Sequence, residues 1–132
     1  MTPGPVRRRP LDGAVVALED GQVALLGGRC EGCERSHFPQ QPCCPYCGGR
    51  VQQARMPATG TVHSVTTTTL PVPGSPSPAT IAMVQLCADV IVQGVVEQPV
   101  GIGDAVGVVG RDIAGPDGPL LGFAFSSGAV GA

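Results

Sequence analysis

The sequence predicts a mostly β protein in which a cysteine-rich ribbon precedes a small five-stranded barrel. Two observations support this prediction. Four cysteines form two C-x2-C pairs separated by ten residues in the first half of the chain. After Gly60, short β-branched stretches alternate with Gly- and Pro-rich corners, as is typical of small all-β domains. We therefore divide the chain into an N-terminal tail (1–21), a ribbon (22–56) and a barrel (57–132).

The composition limits the kind of core and the compartment. The 132 residues carry a net charge of -2, which gives no general attraction to nucleic acid or to an anionic membrane. Trp is absent and Phe occurs three times, so aliphatic side chains must build the core. No apolar run is long enough to span a bilayer, and Met1–Pro10 does not lead into a secretory signal. We expect a cytoplasmic protein, in which six cysteines favour metal binding over disulfides.

The N-terminal tail is predicted to stand outside the main core. Met1–Pro10 is rich in Pro and Arg and is expected to be disordered. Leu11, Val15 and Leu18 follow helical spacing, which predicts a short helix within residues 11–21.

Runs of β-branched residues predict the strands. The first run, Gln22–Gly27, leads into Cys30. Pro71–Pro78 can continue neither a helix nor a strand, and Ala88-Asp89 is a turn. Five strands in about 65 residues favour a closed barrel of the OB-fold size over a sandwich. The barrel strands are predicted at Thr61–Leu70, Thr80–Leu86, Val90–Val96, Ala105–Val109 and Leu120–Phe125.

The candidate metal ligands are Cys30, Cys33, Cys44 and Cys47. Each C-x2-C pair supplies two sulfurs, and the hairpin between the pairs brings them together. Zinc suits four thiolates because it is borderline-soft, redox-inert and tetrahedral. Four protein ligands leave no open position, which predicts a structural ion with no catalytic role. Iron in a rubredoxin-like centre uses the same knuckles and stays an alternative.

Three further residues bear on this assignment. Cys43 adjoins Cys44 and could replace it, although the C-x2-C spacing favours Cys44. His37 lies in the hairpin between the knuckles, where a surface histidine is favoured over a ligand. Cys87 is far from both knuckles and is predicted to be a small apolar core residue.

Residues 25–49, LLGGRCEGCERSHFPQQPCCPYCGG, resemble the zinc ribbon of a known family. This is the family of acyl-CoA-associated zinc-ribbon/OB-fold proteins, or domain-of-unknown-function family thirty-five. The shared pattern is C-x2-C, a Phe38-Pro39 step and then C-P-x-C-G. The strand opening at Gly60-Thr61-Val62 and the closing segment Leu121–Phe125 also match that family in style. The resemblance implies a rubredoxin-like zinc ribbon followed by a five-stranded OB-fold.

The resemblance also implies an accessory role. Such proteins accompany thiolase-superfamily enzymes that act on acyl-CoA, among them thiolases and thiolase-like aldolases of steroid and lipid side-chain degradation. The partner carries the catalytic residues, so this chain is expected to have none and to be no enzyme by itself. A complex with two copies of this chain on an enzyme dimer is expected, and some members contact the CoA portion of the substrate.

Two other functions were weighed against the accessory role. Zinc ribbons and OB-folds also bind nucleic acid, but that work needs a basic groove and exposed aromatic side chains. From Met56 onward there is one basic residue, Arg111, against five acidic ones, and Phe123 and Phe125 are expected in the core. A stand-alone enzyme or electron carrier is the other alternative. His63 and Ser64 are strand neighbours whose side chains point in opposite directions, which argues against a base–nucleophile pair.

The apolar content also predicts a contact with another protein. Hydrophobic residues make up 42% of the chain, more than so short a chain can bury internally. The Val- and Ile-rich strands between Thr80 and Val96 are expected to carry part of this excess as an exposed patch.

Overall fold

The described part of the chain forms ten strands, of which the first two are short. The computed structural model describes residues 9–10, 16–19, 22–72, 75, 77–115 and 118–129. Within these residues the helical structure is one 3-10 turn, Ser127–Ala129, and no helix is long and apolar enough to cross a membrane. The strands are β1 (Arg9–Pro10), β2 (Val16–Glu19), β3 (Gln22–Cys30), β4 (Ser36–His37), β5 (Val51–Arg55), β6 (Thr59–Thr68), β7 (Ala79–Cys87), β8 (Val90–Val95), β9 (Ala105–Gly115) and β10 (Gly118–Ser126).

Strands β6 to β10 form the barrel. They lie in one sheet in the order β10-β9-β6-β7-β8, with β1 beyond β10. A parallel bridge between Val96, just after β8, and Phe125 of β10 joins the two ends of this sheet. The circuit is therefore β6-β7-β8-β10-β9, a nearly closed barrel with the connectivity of an OB-fold. The predicted mostly β fold, a ribbon followed by a five-stranded OB-type barrel, is confirmed.

The barrel core is aliphatic because alternate residues of each strand point inward. Val62, Val84 and Val106 are fully buried, and Leu121 and Phe125 of β10 complete the same cluster. Because the chain has few aromatic residues, Val, Ala and Leu form most of the barrel core, as the composition predicts.

The ribbon is built around β3, which pairs with β2, β4 and β5. Leu25 of β3 and Met56, just after β5, are buried in the same cluster as the barrel valines. Val23 packs so closely on Gly110 of β9 that a Cβ at Gly110 would lie 2.8 Å from the valine side chain. The ribbon and the barrel therefore share one hydrophobic core.

Two expectations for the N-terminal tail differ from the structure. Residues 16–19 form β2, antiparallel to β3, instead of a helix, because pairing with Gln22–Leu25 satisfies their backbone groups. Leu11 and Val15, which suggested the helix, lie outside the described residues. Arg9–Pro10, predicted to be disordered, pair in parallel with Leu120 and Leu121. The rest of the predicted disordered segment, 1–8, also lies outside the described residues.

Candidate metal centre and the ribbon–barrel junction

Two knuckles bring four sulfurs together at one end of the ribbon. The first knuckle follows β3, and the second precedes β5, which pairs with β3. The ligand atoms of Cys30, Cys33, Cys44 and Cys47 all lie within 4.8 Å of one another. The Cys30–Cys47 sulfurs are 3.4 Å apart and the Cys33–Cys44 sulfurs 3.7 Å apart. Four sulfurs at about 2.3 Å from a tetrahedral zinc ion would be about 3.8 Å apart, so the cluster fits that ion.

Backbone N–H groups point at the sulfurs and favour their ionised form. The N–H groups of Cys33 and Gly32 donate to Cys30 Sγ at 3.4 and 3.3 Å. Led by the Cys33 contact, these hydrogen bonds lower the pKa of Cys30 to about 6 despite the desolvation of its thiol. The N–H of Gly49 likewise favours the Cys47 thiolate, but the Cys30 and Cys33 sulfurs oppose it and raise the pKa of Cys47 to about 11.

The effect of the neighbouring sulfurs on the pKa of Cys47 has a chemical consequence. Four thiolates at these distances repel one another unless a cation lies among them. A divalent ion removes the repulsion, and Zn²⁺ has the geometry and softness that such a donor set requires. The donor set therefore fits a structural zinc ion.

The two knuckles have the same backbone shape. The residue after the second cysteine of each knuckle has a positive φ, 66° at Glu34 and 76° at Gly48. The N–H of Glu34 donates to Cys30 O, and the N–H of Gly48 donates to Cys44 O, at 3.1 and 2.8 Å. Each chain segment thereby folds back under its own pair of sulfurs.

The structure separates the competing residues from the four-sulfur cluster. Cys43 is exposed and is not one of the clustered residues. Cys87 is half-buried and packs against the core, close to its predicted place. His37 was expected at the surface, and this is wrong because the side chain is 5% exposed.

His37 is buried because the neighbouring strand, β3, has a glycine at the position against which the imidazole ring packs. His37 pairs with Gly28, where a Cβ would collide with the imidazole ring. Nε2 accepts a hydrogen bond from the Gln41 N–H at 3.2 Å, which leaves the proton of a neutral ring on Nδ1. Nδ1 has no hydrogen-bond partner among the described residues. The Gly27-Gly28 pair within a strand was the sequence feature that could have predicted this packing.

A second set of contacts holds the ribbon against the barrel. The Tyr46 hydroxyl donates to the backbone oxygen of Asp89, in the β7–β8 turn, at 3.3 Å. The Arg35 guanidinium lies over the Tyr46 ring, 4.9 Å from its centroid. The Phe38 ring meets Phe123 of β10 edge to face, with centroids 6.4 Å apart. Residue spacing does not indicate these long-range contacts.

The barrel residues weighed for other functions take structural positions. Phe125 is fully buried, and Phe123 is half-buried and makes edge-to-face contacts with Phe125 and Phe38. Both rings pack against other parts of the protein, whereas base stacking needs exposed aromatic side chains. His63 is exposed at a bulge in β6, between Val62 and Ser64.

Comparisons with known proteins agree with this architecture. Residues 21–51 match the family described as "ChsH2, rubredoxin-like zinc ribbon domain". Among solved structures, the chain is similar to an "Ltp2-ChsH2(DUF35) aldolase" at 25% identity and a TM-score of 0.65, covering 78% of this chain and 84% of that chain. The comparison with curated proteins gives no match.

A second solved structure supports the fold alone. It is a DUF35-family protein of unknown function from Sulfolobus solfataricus, 18% identical, with a TM-score of 0.50 and coverage of 64% of this chain and 67% of that chain. Together the matches confirm the resemblance drawn from the sequence: this chain is similar to the zinc-ribbon proteins of the DUF35 family, and its ribbon is of the ChsH2 rubredoxin-like type.

Proposed function

We propose that this chain is a non-catalytic accessory subunit of a thiolase-superfamily enzyme that acts on acyl-CoA. The observation that carries the proposal is the likeness to the chain in the Ltp2–ChsH2(DUF35) aldolase, which extends over 84% of that chain. The partner we infer is a thiolase or thiolase-like aldolase of steroid or lipid side-chain degradation. Its role in the cytoplasm agrees with cysteines arranged for metal in a reducing compartment.

The side chains of this protein support placing the chemistry in the partner. His37 is buried and accepts a backbone hydrogen bond, while His63 is exposed on β6. Asp104 accepts the Gly101 N–H, and the Asp89 carboxylate lies against the Ser36 N–H. His37 and the two aspartates are thus occupied in turns and contacts, which is a common use of Asp in proteins.

Co-expression with a thiolase-like enzyme from the same organism tests the proposal. We expect a stable complex with two copies of this chain on an enzyme dimer, observed by sedimentation. The enzyme made alone should be less soluble or less active, and the isolated chain should turn over no acyl-CoA. Full activity and solubility of the enzyme alone, without co-purification at micromolar concentrations, would show that the proposal is wrong.

We also propose that Cys30, Cys33, Cys44 and Cys47 are the ligands of one structural zinc ion. Substituting any one of the four by Ser should lower the zinc content and unfold the ribbon, because metal binding here contributes folding free energy. Elemental analysis of the purified variants measures this directly.

The chain provides two matched controls. Cys43→Ser removes the thiol next to a proposed ligand, and Cys87→Ser removes a half-buried thiol outside the four-sulfur cluster. Both should retain about one zinc per chain. Retention in Cys44→Ser together with loss in Cys43→Ser would reverse the assignment of the second knuckle, and a red iron-containing protein would contradict the choice of metal.

A further inference from the structure

Three neighbouring barrel strands present a surface without charge. Between Met56 and Val96 the sequence has one Asp, Glu, Lys or Arg residue, namely Asp89. Asp89 lies in the β7–β8 turn, where its carboxylate and backbone oxygen both face the ribbon through Ser36 and Tyr46. The remaining charged residues of the chain lie before Met56 or after Val96.

The strand register identifies the outward side chains of this surface. Val62, Val84 and Val92 share one row and are buried in the barrel, so residues in the alternate rows point outward. None of the outward residues is buried. We call the outward set the uncharged face, and its three rows are Thr61–Gln85–Ile91, Ser64–Met83–Gln93 and Thr66–Ile81–Val95.

The composition of this face is that of a protein interface. Interface centres are depleted of charged residues and enriched in Met and other large apolar side chains, whereas an ordinary solvated sheet face carries Lys and Glu. Met83 and Ile81 lie in the middle strand of the face, with Ile91 and Val95 beside them on β8. Ser, Thr and Gln side chains surround them.

We propose that the uncharged face is the surface on which this chain binds the thiolase-superfamily enzyme. This inference rests on the proposed function and adds to it the location of the contact. A partner of matching chemistry presents an apolar centre with an uncharged polar border, since an unpaired charge buried against Met83 would be strongly unfavourable.

The size of the face favours an enzyme subunit over a second copy of this chain. Three strands spaced by about 4.8 Å, and five residues long at about 3.3 Å each, give a flat area of about 250 Å². A stable interface needs about 800 Å² of accessible surface from each partner, so a partner confined to this face, such as a second copy stacked on the same three strands, would bury too little.

A larger partner can extend beyond the face at one end. The row containing Ile81 and Val95 adjoins a cavity of about 370 Å³, which Thr80 and Val95 line together with the charged residues Glu97 and Arg111. Leu70, two residues beyond the end of β6, is 73% exposed. An enzyme surface that covers the face, Leu70 and the cavity mouth would approach the required area.

The test uses the complex with the thiolase-like enzyme identified by co-expression. Met83→Glu and Ile91→Glu place a charge on the face, and Ile102→Glu places the same charge at an exposed apolar residue in the β8–β9 turn, outside the face. We expect each face variant to weaken enzyme binding by about 100-fold or more, and Ile102→Glu to bind like the parent chain. Zinc content and the thermal midpoint of each free variant should match the parent chain, since all three positions are accessible to solvent.

The outcomes separate this inference from the function on which it rests. If the parent chain fails to bind the enzyme, the proposed function is wrong. If the parent chain binds and the folded face variants bind equally well, the face is wrong and the function stands. Self-association of the parent chain that Met83→Glu and Ile91→Glu abolish, with enzyme binding intact, would assign the face to a second copy and overturn the inference. Ile91 is 42% exposed, so Ile91→Glu is expected to fold. It therefore tests the role of the uncharged face even if Met83→Glu does not fold.

Discussion

At the residue scale, the two knuckles have the same backbone conformation at a position where their residues differ. The position after the second cysteine has a positive φ in both, yet one knuckle uses Glu34 and the other Gly48. A positive φ costs a side-chain-bearing residue roughly 1–2 kcal/mol relative to the right-handed region, and glycine avoids that cost. The side chain at Glu34 is exposed, so the hydrogen bonds of its knuckle must offset the backbone cost.

Gly48→Ala should therefore destabilise the zinc-loaded protein by about 1 kcal/mol. Apart from Gly48 and its two chain neighbours, no described residue has an atom within 4 Å of the position that a Cβ would take at Gly48, so the expected loss comes from the backbone conformation. Denaturant unfolding in the presence of zinc measures the change.

Gly32→Ala is the matched control for this prediction. It lies inside the other knuckle, has no positive φ, and would place its Cβ at an ordinary 3.8 Å from the Cys30 sulfur. We expect a change of less than about 0.5 kcal/mol. Equal losses in the two variants would show that crowding near the sulfurs, and not φ, decides the stability of the knuckles.

Residue spacing could predict the cysteine cluster but not the burial of His37. Two C-x2-C pairs bring sulfurs together through local geometry, so Cys30 and Cys44 could be placed from the sequence. The burial of His37 depends on the missing side chain of Gly28, which lies nine residues away and meets it only after the strands pair. Residue spacing within one segment does not contain that information.

At the scale of elements, the ribbon and the barrel meet through a small number of side chains. Phe38 is half-buried and meets Phe123 across the junction, and Tyr46 reaches the β7–β8 turn. Phe38→Ala should lower the free energy of unfolding by about 2 kcal/mol, which is less than a fully buried Phe would cost. The zinc content should stay unchanged, because Phe38 is not in the four-sulfur cluster.

Tyr46 provides both the measurement and the control. It is the single tyrosine of a chain without Trp, so its fluorescence reports the junction in the parent chain and in Phe38→Ala, while circular dichroism follows the unfolding of Tyr46→Phe, which lacks this fluorophore. Tyr46→Phe keeps the ring under Arg35 and removes the partly exposed hydroxyl bond to Asp89, which should cost less than about 1 kcal/mol. If Phe38→Ala costs no more than Tyr46→Phe, the aromatic contact does not stabilise the junction.

Strands were easier to predict than the tail for a physical reason. The barrel strands have inward and outward residues that differ in polarity, so their period of two is visible along the chain. β9 nevertheless extends to Gly115, well past the predicted end at Val109, because β10 supplies partners along its whole length. The Val16–Glu19 segment is a strand only because β3 pairs with it, and the apparent helical spacing of Leu11, Val15 and Leu18 does not reveal that partner.

At the scale of the whole molecule, charge is distributed unevenly. The ribbon has exposed arginines at Arg29, Arg35, Arg50 and Arg55. The turns of the barrel carry acidic residues, whereas the outward residues of the uncharged face carry none. Which side chains share this face could be inferred only from the register of the paired strands. The charge-free run from Met56 to Ala88, however, is visible in the sequence itself.

This distribution predicts how the complex responds to salt. Contacts between charged groups weaken as the Debye length shortens from about 10 Å at 0.1 M salt to about 3 Å at 1 M. A complex formed through the uncharged face should change its Kd by less than about threefold between 0.05 and 0.5 M NaCl, as measured by titration calorimetry with the thiolase-like enzyme. Binding through the ribbon arginines would weaken far more, as binding to nucleic acid does when several phosphates are neutralised.

A different result would assign the contact to the ribbon. This result is a loss of affinity of 100-fold or more over this salt range, matched by a similar loss of affinity in Arg29→Ala or Arg50→Ala at low salt. The Met83→Glu variant should then bind the enzyme like the parent chain, so the two measurements together decide which side of the molecule meets its partner.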